Sequence, residues 1–384
     1  MSRRVLLLSS DKTEVLQALR ARQDLRLQVI TRKAYADLYE GCDTAFVDSF
    51  EDLGQVERAA YELSRDGAPE RVVAATEKSV VAAGLVRSLL GVPGQSFDQS
   101  LWAAHKRAMK DRLRAAGVPV TDCAQAGSLR DVPRAAEHTG WPVVIKPVFG
   151  AMATRTYRVG SPQEFRRRLD EGAFDDLGAR GVPVLVERLV EFSAEYHCDG
   201  VVRDGVVRRA AVSRYFTVPL DTPPEVDSGY VMDQSDPFAQ QVLELHRRVA
   251  AAIELRDGVT HLEVFGTARG PVVGEVAIRP GGLGIPRMVH HAHGYDLWDE
   301  FVRAALGEPL GPLSHEPRPG IVGRTQLPPA PGLRERAAAV PGVLEARGPE
   351  DGGTANVEVH FSAPDVPRAE SARTELRRLA GLRP

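Results

Sequence analysis

The chain has 384 residues, 43% hydrophobic and 26% charged, with a formal net charge of −3. That length calls for two or three domains, and the composition is that of a globular protein with no excess positive charge to recommend nucleic acid or an anionic membrane as partner. No apolar run reaches the roughly 20 residues of a membrane helix, and the odd, scattered Cys42, Cys123 and Cys198 suggest neither a disulfide framework nor a zinc pair. A cytoplasmic protein is expected.

The N-terminal stretch MSRRVLLLSSDK is too short in its apolar part for a signal-peptide core and reads as a first strand over 5–9. A helix follows over 12–22. Further strands are expected at 27–30, 44–47 and 72–75, with helices near 53–65 and 79–90. This alternation predicts a small parallel sheet with helices on its faces. SSDKTE after the first strand is not G-x-G-x-x-G, so a dinucleotide site of that kind is disfavoured. GVPGQS at 91–96 breaks the chain, and one helix is expected over about 99–116, capped by Ser100.

That helix places Lys106 and Lys110 one turn apart on one side. Taken alone, two such lysines read as solvated decoration. Downstream, WPVVIKPVFG holds a strand apolar on both faces that ends in Lys146. The strand VPVLVE ends at Glu187, and Glu195 begins another. THLEVFGTARGPVVGEVAIRPGG reads as a hairpin with arms 261–265 and 272–279, which brings Glu263 and Glu275 opposite or nearly opposite each other. Two facing carboxylates repel and should destabilise the sheet unless a cation sits between them. Mg²⁺ is the natural choice, because it takes carboxylate oxygens together with substrate phosphates.

The ordered set Lys106, Lys146, Glu187, Glu263, Glu275, Arg279 resembles the ATP-grasp superfamily over essentially the whole chain. The E-V-x-x-R-P-G-G run and the extra C-terminal segment are most similar to its carboxylate–amine ligase branch, the L-amino acid ligase-like enzymes. The fold class implied is α/β (α+β): a Rossmann-like N-terminal domain over 1–97, an ATP-grasp domain over 98–310 with a lid in 147–190, and a C-terminal lid-like subdomain over 311–384. The resemblance implies that Lys106 and Lys146 hold ATP phosphates. Glu187 would accept from the adenine amino group, the backbone of Leu189 and Val190 would complete the base contacts, and Glu195 would lie near the ribose. Glu263 and Glu275 match metal ligands for Mg²⁺, with Mn²⁺ as an alternative. Arg279, with Lys146, is the expected catalytic residue, holding a substrate carboxylate and the developing oxyanion beside Gly281 and Gly282. The implied reaction forms an amide through an acylphosphate and releases ADP and phosphate from small-molecule carboxylate and amine substrates. A homodimer is compatible with it.

Two positions depart from the family pattern. Ala277 stands where many members carry an asparagine ligand, which implies weak binding of a second metal ion. The loop GAMATRTYR after Lys146 has one glycine where the family loop is glycine- and serine-rich, with Arg155 available to supply charge. In 215–231, YFTVPLDTPPEVDSGYV, the prolines predict a loop. There Glu225, with Ser228 three residues on, is the best match to a glutamate that meets the substrate ammonium. HHAH at 290–293 invites a metal reading, but His290 and His293 lack a third ligand nearby in sequence, so packing or substrate contact is expected instead. Segment 311–384 is expected to contribute two short strands and a charged helix packed over the core. Two alternatives stay open at this level: a carboxylase of the biotin-carboxylase type, and a nucleotide-binding relative without turnover.

Overall fold

The computed structural model describes residues 2–74, 76–150, 155–178, 183–223, 226–348 and 355–382. Strand and helix alternate first: β1 Arg3–Leu8, α1 Thr13–Arg20, β2 Leu25–Thr31, β3 Asp43–Phe46, α2 Leu53–Leu63, β4 Arg71–Ala74 and α3 Val80–Leu90. The four strands form a parallel sheet in the order β3-β2-β1-β4. Leu6 and Leu8 pack with residues of α2 and α3, whereas Val5 and Leu7 pack with α1. An unbroken apolar run is what a strand covered on both faces requires.

The helix expected over 99–116 is two helices, α4 Phe97–Ala104 and α5 Lys106–Ala115, separated by an extended His105. Locally, His105 Nδ1 caps α5 by accepting from the Ala108 N–H at 3.2 Å. The break is also held by tertiary contacts: the Lys106 N–H donates to the Val148 carbonyl at 2.9 Å, and the His105 ring meets Phe149 edge-on. The cap is Ser96, not Ser100. Ser96 Oγ accepts from the Gln99 N–H, and the Gln99 side chain accepts from the Ser96 N–H, a reciprocal pair that closes the helix start. Ser100 is buried against α3, where a Cβ on Gly84 would come within 2.3 Å of its hydroxyl.

A second sheet is antiparallel. It comprises β5 Cys123–Ala126, β6 Val143–Pro147, β7 Tyr157–Val159 and β8 Val184–Arg188 in the order β5-β8-β6-β7, with α6 Val132–Thr139, α7 Pro162–Asp170 and the short α8 Asp175–Gly178 between strands. The remaining strands are β9 Ala194–Arg203, β10 Val206–Tyr215, β11 Ser228–Val231, β12 Gly258–Thr267, β13 Gly270–Ala277, β14 Ile321–Leu327, β15 Val343–Arg347 and β16 Val357–Ala363. They build one eight-stranded antiparallel sheet ordered β13-β12-β9-β10-β11-β14-β16-β15. The accompanying helices are α9 Pro237–Ala252, α10 Ile285–His293, α11 Leu297–Leu306, α12 Leu333–Ala338 and α13 Val366–Leu379. Thus the C-terminal segment does not simply pack over the core with two strands; it adds three strands to the same sheet through the β11–β14 pair.

Every residue of β9 except Arg203 is buried, including Glu195, His197 and Asp199. One face carries Tyr196, Cys198 and Val202 against α9. By alternation the other face carries the polar three. A buried strand with polar residues at every second position is the first structural sign of a site.

Candidate active site

The polar face of β9 continues across its neighbours. On β12, Glu263 pairs with His197, and His261 with Asp199. On β13, Glu275 stands directly opposite Glu263, and Ala277 opposite His261. The register shifts just beyond this pair, leaving Gly274 without a partner on β12. Such a bulge frees a carbonyl from the ladder, and Lys110 Nζ donates to it at 2.9 Å.

Three lysines converge here. Lys106 Nζ lies 2.8 Å from Glu275 Oε1 and donates to the Gly150 carbonyl at 2.5 Å. Lys146 Nζ lies 3.1 Å from Glu187 Oε2, and Lys110 Nζ lies 3.1 Å from Glu187 Oε1. Lys110 is the lysine most fully withdrawn from water, at 0% side-chain exposure, and it also donates to Thr121 Oγ1 at 2.7 Å. Burial alone would raise Glu187, but the two ammonium groups hold it below the ordinary glutamate range. For Lys146 burial opposes the charge, yet Glu187, Glu275 and Glu263 together keep the ammonium above its usual value. Lys110 was readable only as half of a solvated pair. Its spacing from Lys106 was the available signal, and its burial was not.

Below Glu263 lies a chain of buried partners. His197 Nδ1 is 2.6 Å from Asp199 Oδ2, His261 Nδ1 is 2.9 Å from Asp199 Oδ1, and His261 Nε2 is 3.6 Å from Glu263 Oε1. Burial disfavours a charged His261, but Asp199 and Glu263 overcome it and raise the imidazole to about 10. Gly281 closes over this group: a Cβ there would come within 2.9 Å of His261 Nδ1 and 3.2 Å of Asp199 Oδ1. Gly282 faces open space. The signal for these residues was E-x-H-x-D and H-x-E, period-two strings on strands.

Arg279 is reached from the first sheet. Glu77, three residues beyond β4, accepts from Arg279 Nε at 2.7 Å, and the Pro280 carbonyl accepts from Nη1 at 2.9 Å. Burial raises Glu77, with Arg279 pulling the other way. Sequence reasoning passed over Glu77, although the carboxyl end of a parallel strand is a usual place for ligand-facing residues.

Of the residues expected at the site, Lys106, Lys146, Glu187, Glu195, Glu263, Glu275, Arg279 and Gly281 lie in this region. Leu189 differs in detail: its N–H donates to the Pro142 carbonyl at 3.0 Å, whereas the Val190 N–H has no such partner among the described residues. Ser228 is not part of a loop. It opens β11, is fully buried, and shares by alternation the face of Tyr230 and Tyr196, away from Glu263. Glu225 lies outside the described residues, as does 151–154 of the loop after Lys146.

The chain is 32% identical over 333 residues to an L-arginine-specific L-amino acid ligase from Bacillus subtilis, covering 85% of this chain and 80% of that one. The chain belongs to the L-amino acid ligase family of the ATP-grasp superfamily. It is an ATP-dependent carboxylate–amine ligase. No protein-family model matches it. The ligase fold is also found in an L-amino acid ligase from Bacillus licheniformis (TM-score 0.75, 16% identity, 98% and 97% of the two chains covered). A carboxyaminoimidazole ribonucleotide synthase from Aspergillus clavatus, solved with ATP, is equally similar in fold (TM-score 0.75, 19% identity, 99% and 98% covered). Among the described residues of the ligase no helix is long and apolar enough to cross a membrane.

Glu195 supplies a pH test of this polar face. Burial, and then the Glu263 carboxylate, raise it to about 8, against roughly 4.3 in an unfolded chain. Between those values the folded ligase binds the extra proton, so stability falls as pH rises through that window. Glu195→Gln removes the effect. Its thermal midpoint in the absence of nucleotide should therefore rise relative to wild type, with a gain that grows from pH 5 to 8 and then levels. A constant or shrinking gain over that range counts against a buried, ionisable Glu195.

Proposed function

We propose that this ligase joins two amino acids, activating the carboxylate of one by phosphoryl transfer from ATP. The observation that carries the reading is the shared polar face on which Lys146, Lys106, Glu275 and Glu263 gather, with Arg279 at its margin. A carboxylate oxygen attacks the γ-phosphorus and ADP leaves. The amine of the second amino acid then attacks the acyl carbon, phosphate leaves, and the amine proton is lost. Little covalent help is required, so catalysis rests on positioning and on neutralising charge.

Lys106 and Lys146 are the groups proposed to meet phosphate oxygens. Each already faces a carboxylate, Glu275 or Glu187. Anionic phosphate therefore adds to, or exchanges with, an existing partner instead of stripping water from a bare ammonium. Glu187, whose two oxygens already face Lys110 and Lys146, and the Val190 N–H are the groups proposed to meet the adenine edge. Arg279 is fixed by Glu77 through Nε and by the Pro280 carbonyl through Nη1, while its Nη2 makes no hydrogen bond among the described residues and would bind the reacting carboxylate. Gly282, which faces open space, leaves that carboxylate room, while Gly281 lets the loop close over His261 and Asp199.

Glu263 and Glu275 fit a Mg²⁺ ion: they face each other across β12 and β13, and both keep side-chain exposure, 39% and 21%. When bound, Mg²⁺ would neutralise phosphate charge. The carboxylates do not rely on it for folding, because Lys106 flanks Glu275 and His261 flanks Glu263. This revises the expectation of uncompensated repulsion. Burial would raise Glu263, but His261 and the lysines bring it down to about 2. Glu263→Gln is accordingly expected to destabilise the nucleotide-free ligase at neutral pH. Both Glu263→Gln and Glu275→Gln should raise the Mg²⁺ concentration needed for half-maximal ADP release about tenfold or more, roughly 1.4 kcal/mol. Unchanged magnesium dependence in both variants would remove them from the metal site.

A pairwise panel of amino acids tests the function itself. Arginine is the first choice, because the Bacillus subtilis relative is arginine-specific. ADP and phosphate should appear only when both an acid and an amine are present, and mass spectrometry should find a dipeptide. ADP release that requires bicarbonate, with no dipeptide, would overturn the reading.

A further inference from the structure

The histidine run at the end of α10 sends one side chain towards the C-terminal strands. His291 Nε2 lies 3.0 Å from Glu345 Oε2 on β15. His360 Nδ1, on β16, lies 4.0 Å from the same oxygen. One ligand atom from each of the three residues can be chosen so that all lie within 4.8 Å of one another. His290 and His293, for which packing or substrate contact is expected, are not in this group.

The tautomer of His360 is set by its other nitrogen. Nε2 is 3.0 Å from the Gly284 carbonyl, which can only accept, so Nε2 carries the proton. Burial favours the neutral ring, holding it down to about 3. Nδ1 is then a lone pair. His360 is fully buried, and Nδ1 has no hydrogen-bond partner among the described residues. A buried lone pair aimed at a carboxylate oxygen is unfavourable unless a cation or donor stands between them.

We propose that His291, Glu345 and His360 form a binding site for a divalent transition metal of the Zn²⁺ class, bracing the C-terminal strands against α10. Two imidazoles and one carboxylate suit Zn²⁺ far better than Mg²⁺. Bonds of about 2.0–2.2 Å would set tetrahedral ligand atoms about 3.3 Å apart, between the two separations found here. The hydrogen bond from His360 Nε2 to a backbone carbonyl is the outer contact that metal-bound histidines commonly make. Arg287 Nη2 holds Glu345 Oε1 at 2.6 Å and could stay there, whereas its Nε, 3.2 Å from Oε2, would give way. Side-chain exposure of 15% at His291 and 23% at Glu345 leaves an entry path and room for a further ligand. Gly284 precedes α10 as its N-cap, two residues after Gly282, so an ion here would also steady the glycine loop of the active site.

The test titrates tag-free, full-length protein with Zn²⁺ against a chromophoric chelator. One tight equivalent is expected in wild type and in the double variant Glu263→Gln/Glu275→Gln, which separates this site from the paired glutamates. His291→Ala, whose side chain is partly exposed and whose fold is checked by circular dichroism, should bind at least tenfold more weakly. Glu345→Gln should do the same. Absence of a tight equivalent in wild type, or equal affinity in folded His291→Ala, would overturn the proposal.

Discussion

Lys146→Ala is expected to lower ATP turnover severely while leaving the protein folded. Lys146 and Lys110 share Glu187, each 3.1 Å from one of its oxygens. Removing Lys146 therefore leaves the glutamate paired with Lys110, and the interior keeps a compensated charge. A bound phosphate has no such reserve on its Lys146 side. Truncating one partner of a buried charge pair costs about 2–5 kcal/mol, which corresponds to roughly 30- to 5,000-fold in kcat/KM. Lys110→Ala should behave in the opposite way. That ammonium is fully buried and holds Glu187, Thr121 and the Gly274 carbonyl of the bulge. Its loss leaves Glu187 with Lys146 but strands the Thr121 hydroxyl and the Gly274 carbonyl, and should cost about 1–3 kcal/mol of stability for each buried group left unpaired. Comparing ADP release with thermal midpoints for the two variants separates the roles. Normal ADP production by folded Lys146→Ala would take Lys146 out of the site.

How far the sequence showed this arrangement depends on what each feature rests upon. The first sheet was legible because strands covered on both faces are apolar without interruption, and β1 is such a run. The facing glutamates were legible because hairpin pairing follows from the turn and the period of two. The helix break at His105 was not. One helix is expected over about 99–116, and the Val148 carbonyl that accepts from the Lys106 N–H at the break lies far away in sequence. Ser228 was misplaced for a related reason: prolines at 219, 223 and 224 made the whole segment look irregular, yet a short strand resumes at Ser228 to pair with β14. That pair also carries the C-terminal strands into the main sheet. Burial of charge was the least visible property. A lysine such as Lys110 is solvated in most proteins, and its partners Glu187 and Gly274 lie 77 and 164 residues away.

Arg279→Ala is expected to lower kcat about 10²- to 10³-fold, the effect of deleting one preorganised donor at a developing oxyanion, with little change in the KM for ATP. The prediction rests on how the guanidinium is held. Nε is committed to Glu77 at 2.7 Å and Nη1 to the Pro280 carbonyl at 2.9 Å, so the group is aimed before substrate arrives. Arg279→Lys should recover little. An ammonium keeps the charge, but it cannot satisfy Glu77, the carbonyl and a substrate carboxylate in one fixed plane. Glu77→Gln provides the complementary measurement. It retains Arg279 but weakens its anchor, so kcat should fall less than in Arg279→Ala while the KM for the carboxylate substrate rises. Glu77 follows β4 of the first sheet and Arg279 follows the last strand of the glutamate hairpin, so this bond also ties the two together. A thermal midpoint lowered in Glu77→Gln with kcat and KM both unchanged would assign the pair to structure alone. A wild-type kcat in Arg279→Ala would place the reacting carboxylate elsewhere on the sheet.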